Sequence, residues 1–199
     1  MSSTIYLEGG GDSRDLQIRC REGFRKLLDR CGYAGRLPKL VACGGRGKAF
    51  DDFKTAFARV RKGDFVALWV DSENPMDDLE ATWEHLQARD HWATPNGATN
   101  DQVLLMTTCM EAWIVADRAT LAEHYGAELQ ESALPALHNL EGRPRDGIQN
   151  ALIHATRNCS NAYTKGKRSF EVLGKLDPET LSKHLPCFLR VRRILDASL

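Results

Sequence analysis

The sequence predicts an α/β protein: a mainly parallel central sheet of about four strands flanked by helices, with a mostly helical C-terminal portion. Three observations carry this. Short apolar runs at residues 5–7, 40–43 and 65–70 read as strands buried on both faces. Each is followed by apolar residues at helical spacing, and strand–helix–strand units pair in parallel through right-handed crossovers. Beyond residue 110 the spacing is almost wholly helical.

The first strand ends at Glu8, and Gly9, Gly10 and Gly11 turn the chain. Asp12 or Ser13 caps a helix carrying Leu16, Cys20, Phe24, Leu27, Leu28 and Cys31 on one face, with Gly32 as its stop. After the second strand, Gly44-Gly45-Arg46-Gly47 leads into a helix marked by Phe50, Phe53, Phe57 and Val60. The third strand, Phe65-Val66-Ala67-Leu68-Trp69-Val70, is followed by Asn74-Pro75 and a helix over residues 77–88. Pro95, Asn96 and Gly97 mark a loop over 90–101, residues 102–107 read as a fourth strand, and 110–117 as a helix. An irregular connection over 134–146, a helix over 147–157, a polar basic loop over 158–168 and closing helices over 169–176 and 178–195 complete the chain. Residues 1–117 thus form an α/β core, and 118–199 a helical extension packed on it as one compact unit.

The 199 residues are 42% apolar and 27% charged, enough for one large domain. No apolar run approaches the ~20 residues of a membrane span, and the N-terminus lacks the pattern of a signal peptide. These features point to the cytoplasm and away from a membrane partner. None of the six cysteines forms a Cys-x-x-Cys pair, so buried free thiols are expected. The net charge is zero but uneven. Residues 64–101 hold nine acids and one base, Arg89, a net of −8; residues 141–199 hold eleven Lys or Arg and six acids, a net of +5. That asymmetry suits an acidic metal site with a separate basic contact surface.

The chemistry lies where apolar strands stop at carboxylates. Ligands of open α/β sheets bind outside the carboxyl ends of the strands. If the first and third strands are neighbours, ~4.8 Å apart, then Glu8, Asp71 and Glu73 converge. Like charges so close require protonation or a cation, and Mg²⁺ or Mn²⁺ suits hard oxygen ligands. Asp12 and Glu111 are supporting candidates for the metal. The basic loop supplies Arg157, Lys165, Lys167 and Arg168 for phosphates and Tyr163 for stacking on a base. Lys165 or Lys167 also suits stabilisation of a phosphorane. Arg46 and Lys48 lie in a glycine-rich turn able to face an anion. That turn lacks the P-loop spacing, and Gly9-Gly10-Gly11-Asp12 does not match a dinucleotide fingerprint.

A strand ending in Glu8-Gly9, a βα unit, then a strand ending in Asp71-Ser72-Glu73 resembles the Toprim domain, with its Rossmann-like sheet, over roughly residues 3–107. The resemblance implies that Glu8, Asp71 and Glu73 hold Mg²⁺ for phosphodiester chemistry. Glu73 stands where the family carries Asp. Nearly the whole chain is similar to a prokaryotic Toprim-like family of unknown function, domain of unknown function family 4276, distantly similar to OLD-type and RloB-like nucleases. The segments are Leu7-Glu8-Gly9-Gly10-Gly11-Asp12-Ser13, Val41-Ala42-Cys43-Gly44-Gly45-Arg46, Val70-Asp71-Ser72-Glu73, Cys109-Met110-Glu111-Ala112-Trp113 with Ala116-Asp117, and Ala155-Thr156-Arg157-Asn158-Cys159-Ser160. That resemblance implies antiviral defence and an ATPase partner.

Two readings of function follow. In the first, the protein is a Mg²⁺-dependent nuclease in which Glu8, Asp71, Glu73, Lys165 and Lys167 carry the chemistry. In the second, it is a non-catalytic module that binds nucleotide or nucleic acid and docks on an ATPase. DNA and RNA both remain open as substrate, as does a homo-oligomer.

Overall fold

The computed structural model describes residues 2–199. Its first strand, β1 (Ser3–Leu7), leads through the glycine turn into α1 (Arg14–Leu28), where the Ser13 hydroxyl accepts the Leu16 N–H. Then come β2 (Lys39–Ala42), α2 (Arg46–Phe57), β3 (Phe65–Asp71), α3 (Thr82–Asp90) and β4 (Val103–Met106). The chain continues as α4 (Met110–Ala116), α5 (Arg118–Tyr125), α6 (Arg145–Thr156), α7 (Lys167–Leu173), α8 (Pro178–His184) and α9 (Pro186–Ser198). The sheet is parallel throughout, in the order β2-β1-β3-β4.

Each face of the sheet has its own apolar layer. Alternate residues Ile5, Leu7, Ala67, Trp69, Leu104 and Met106 pack against α1 and the C-terminal helices. Val66, Leu68, Val70, Val103 and Leu105 pack against Phe50 and Phe53 of α2 and Trp83 and Leu86 of α3. All seven residues of β3 are buried, as befits a central strand covered on both sides.

The helical C-terminal region shares the first layer. Trp113 of α4 meets Trp69 of β3 and Phe188 of α9 edge to face. The outer edge of β4 is covered by α9: Arg190 donates to the carbonyls of Val103 (2.8 Å) and Asn100 (2.7 Å), and the Cys187 thiol to that of Leu105 (3.2 Å). Side chains thus satisfy backbone groups that an edge strand leaves open.

Several helices differ from their expected limits: the first ends at Leu28, short of Gly32, and α7 begins at Lys167, inside the expected basic loop. Two of the differences have a clear local cause. The third helix starts at Thr82 rather than residue 77, because the Asp78 carboxylate accepts the Glu80 N–H in a tight turn and the Asn100 side chain receives the Trp83 N–H. The closing segment is two helices, because Pro186 drives Leu185 to an extended backbone. All six cysteines are free, and five are buried.

Candidate metal and phosphate site at the carboxyl ends of the strands

Backbone pairing alone brings the first two acids together. Leu7 pairs with Trp69, and the Glu8 N–H continues the ladder to the Trp69 carbonyl (2.9 Å). Glu8 therefore stands at the tip of β1 beside the tip of β3. Its Oε2 accepts the Asp71 N–H (3.3 Å) and the Arg46 guanidinium (3.1 Å). Asp71, the last residue of β3, is 7% exposed, and its Oδ1 accepts the N–H of Met110 at the start of α4 (3.0 Å). Burial first, then the carboxylates of Glu8 and Glu111, push the Asp71 carboxyl well above its usual range, against the pull of Lys165 and Arg145.

Glu111 completes the group from α4. It is 1% exposed and held by the Tyr163 hydroxyl (2.6 Å) and the Gln149 amide (3.1 Å). Glu8, Asp71, Glu111 and Lys165 line one cavity of about 300 Å³, walled by Leu16 of α1 and by Ser169 and Phe170 of α7. Its glycines are structural as well as permissive. A side chain on Gly44 would collide with the Gly11 carbonyl, and one on Gly10 would meet the Gln17 backbone at 2.7 Å. Both have positive φ.

The structure corrects several sequence expectations. Glu73 does not join Glu8 and Asp71. The strand ends at Asp71, Glu73 has a left-handed backbone (φ 69°), and its carboxylate pairs with Arg145 and Arg89 in a separate cavity. Asp12 is exposed and does not line the acidic cavity. Tyr163 is 4% exposed, and its hydroxyl is spent on Glu111, so its ring is not free to stack on a base. Arg46 is an internal clamp: it also donates to Asp90 (3.0 and 2.7 Å) and to the Asp71 carbonyl (2.5 Å), and lies over the Trp92 ring. Lys48 pairs with Asp52 on the surface of α2 (2.8 Å), and the Gly44 N–H is spent on the Gly9 carbonyl. Arg157 and Lys167 are exposed and Arg168 half-buried, all outside the cavity lining.

Gln149 and Asp90 belong to the arrangement, yet sequence reading passes over them. Each acts through a partner 38 or more residues away, and no local pattern marks such a pairing. Asp117 of the Ala116-Asp117 motif is structural, since it accepts the N–H groups of Thr120 (3.1 Å) and Asp177 (2.8 Å).

Among the described residues, no group of three or more His, Cys, Asp or Glu is set closely enough to hold a metal ion as it stands. The donor chemistry nevertheless fits a hard divalent cation. Asp71 Oδ2 and Glu8 Oε1 have no hydrogen-bond partner among the described residues, whereas their sister oxygens are fixed. Mg²⁺ commonly takes one or two carboxylates and completes its shell with water and phosphate oxygens.

The pattern of a protein family described as domain of unknown function (DUF4276) matches residues 7–196, a span that includes every residue of this cavity. No curated protein matches the chain, and no solved structure does.

Proposed function

We propose that this chain, which belongs to the DUF4276 family, is a Toprim-like, Mg²⁺-dependent nuclease hydrolysing phosphodiester bonds of DNA or RNA. One observation carries the reading: three carboxylates and one lysine face a single cavity at the carboxyl ends of adjacent parallel strands. Glu8 and Asp71 would hold the cation, with Glu111 fixed beside them by Tyr163 and Gln149. When bound, the cation supplies charge neutralisation and a water of lowered pKa. Lys165 would hold a phosphate oxygen and offset the charge that develops on it. The reaction adds water across one P–O ester bond and leaves a phosphate monoester and a hydroxyl.

The proposal extends, on the Toprim-like resemblance, to a prokaryotic defence setting in the cytoplasm with an ATPase partner. No helix among the described residues is long and apolar enough to cross a membrane.

The test is cleavage of end-labelled DNA and RNA in Mg²⁺ or Mn²⁺ by the wild type, Glu8→Gln and Asp71→Asn. Both variants keep the backbone ladder, so circular dichroism should be unchanged while cleavage falls at least about 100-fold, the scale of a lost electrostatic contact in the transition state. Cleavage that survives both substitutions removes the reading. The non-catalytic reading draws on a different observation, the internal neutralisation of Glu8 by Arg46. Strand binding with no metal-stimulated cleavage would favour it.

A further inference from the structure

Three features of the acidic cavity bear on what enters it. First, its volume of about 300 Å³ is at the lower end of pockets that enclose one small ligand. The acids lie between α1 and α7, and the mouth opens to solvent where Gly11 and Lys165 are exposed. Second, Lys165 is the one cationic side chain among the described residues lining it. Neighbouring arginines are engaged elsewhere: Arg46 with Glu8 and Asp90, Arg89 and Arg145 with Glu73. Third, one part of the lining is bare backbone. A side chain added at Gly11 would meet nothing within 4 Å, so space remains beside that turn.

Double-stranded DNA is usually gripped through many phosphates at once, with six to ten contacts common in tight complexes. A site of this size with one free cation at its exposed mouth cannot collect them. A single strand can bend at each nucleotide and turn one phosphate into the mouth beside Lys165, and no base pairs have to open.

We infer that the substrate of this site is a flexible single strand, entering about one nucleotide at a time with one phosphate beside Lys165, and that an intact duplex is excluded. This inference rests on the phosphodiesterase reading above and names its substrate class. Lys165 and the walls set by Leu16 and Phe170 then decide strandedness, while Glu8 and Asp71 decide cleavage.

The experiment separates binding from chemistry. A fluorescein-labelled single strand and a hairpin duplex of the same length are titrated by anisotropy in EDTA, using Asp71→Asn so that a strand is bound but not cut. The single strand should bind at least tenfold tighter than the hairpin. Its affinity should fall with salt at a log–log slope of about −0.7, the value for one phosphate contact on a single strand. Adding Lys165→Gln should flatten that slope toward zero. Equal or tighter duplex binding, no binding of either strand at low salt, or a slope of about −2 or steeper, which means three or more contacts, overturns the inference. The wild type is then assayed for cleavage of both substrates in Mn²⁺. Equal cleavage of duplex and single strand overturns the strand preference but leaves the nuclease reading standing. Cleavage of neither removes the nuclease reading, and the anisotropy comparison alone then decides which strand the cavity accepts.

Discussion

Arg46 shows how the same residue type serves opposite roles depending on its partners. Beside glycines in a turn, a guanidinium suggests a phosphate contact. Folded, it bridges Glu8 and Asp90 with only 13% of its side chain exposed. Removing one member of a largely buried ion pair typically costs about 3–5 kcal/mol, because the remaining charges lose their partner. Arg46→Met should therefore lower the urea unfolding free energy by roughly 3 kcal/mol. Arg46→Lys should lose less, keeping charge but not the two-pronged geometry. If Arg46→Met unfolds like wild type, the clamp is not structural. Tyr163 teaches a related lesson. It sits among lysines and asparagines in sequence, which reads as solvent-facing, but its hydroxyl answers a carboxylate 52 residues away. Glu8 and Asp71 were legible because each ends an apolar strand, a local signal. The supports of Glu111 were not, because they come from other elements.

At the scale of elements, strands and most helices follow from apolar spacing, while their ends follow from capping partners that spacing does not reveal. The start of α9 is an example. Pro186 breaks the preceding helix, and Glu141 reaches across to accept the freed Cys187 N–H with both oxygens (3.1 and 3.0 Å). Burial pushes the Glu141 carboxyl up to about 7, and the Cys187 N–H only partly offsets it. The sign follows from linkage. Between the ordinary glutamate value of about 4.3 and pH 7, the folded protein keeps a proton that the unfolded chain releases, so stability falls as pH rises through that window. The full effect is on the order of 3 kcal/mol above pH 7. Glu141→Gln retains an acceptor for α9 and cannot ionise. It should match wild type near pH 4 and exceed it by up to that amount at pH 8 in urea unfolding. An unchanged pH slope in the variant would assign the dependence to another group.

For the whole molecule, the boundary near residue 117 divides composition but not packing. Trp113 joins β3 to α9, and α9 seals the outer edge of β4. A fragment of residues 1–117 would bare that edge and much of one apolar layer, so it should show no cooperative thermal transition by circular dichroism. A sharp melt would mean that the α/β part stands alone. Strand order was legible only in part, since three βα units imply parallel pairing but not which strands touch. The order β2-β1-β3-β4 makes β1 and β3 neighbours. Because the Leu7–Trp69 register is written in main-chain hydrogen bonds, the two acids owe their spacing to the peptide ladder and not to side-chain packing. Drift that replaces either carboxylate by its amide can thus leave the scaffold whole, whereas gaining or losing one codon within β3 would swivel Asp71 to the opposite side of the sheet.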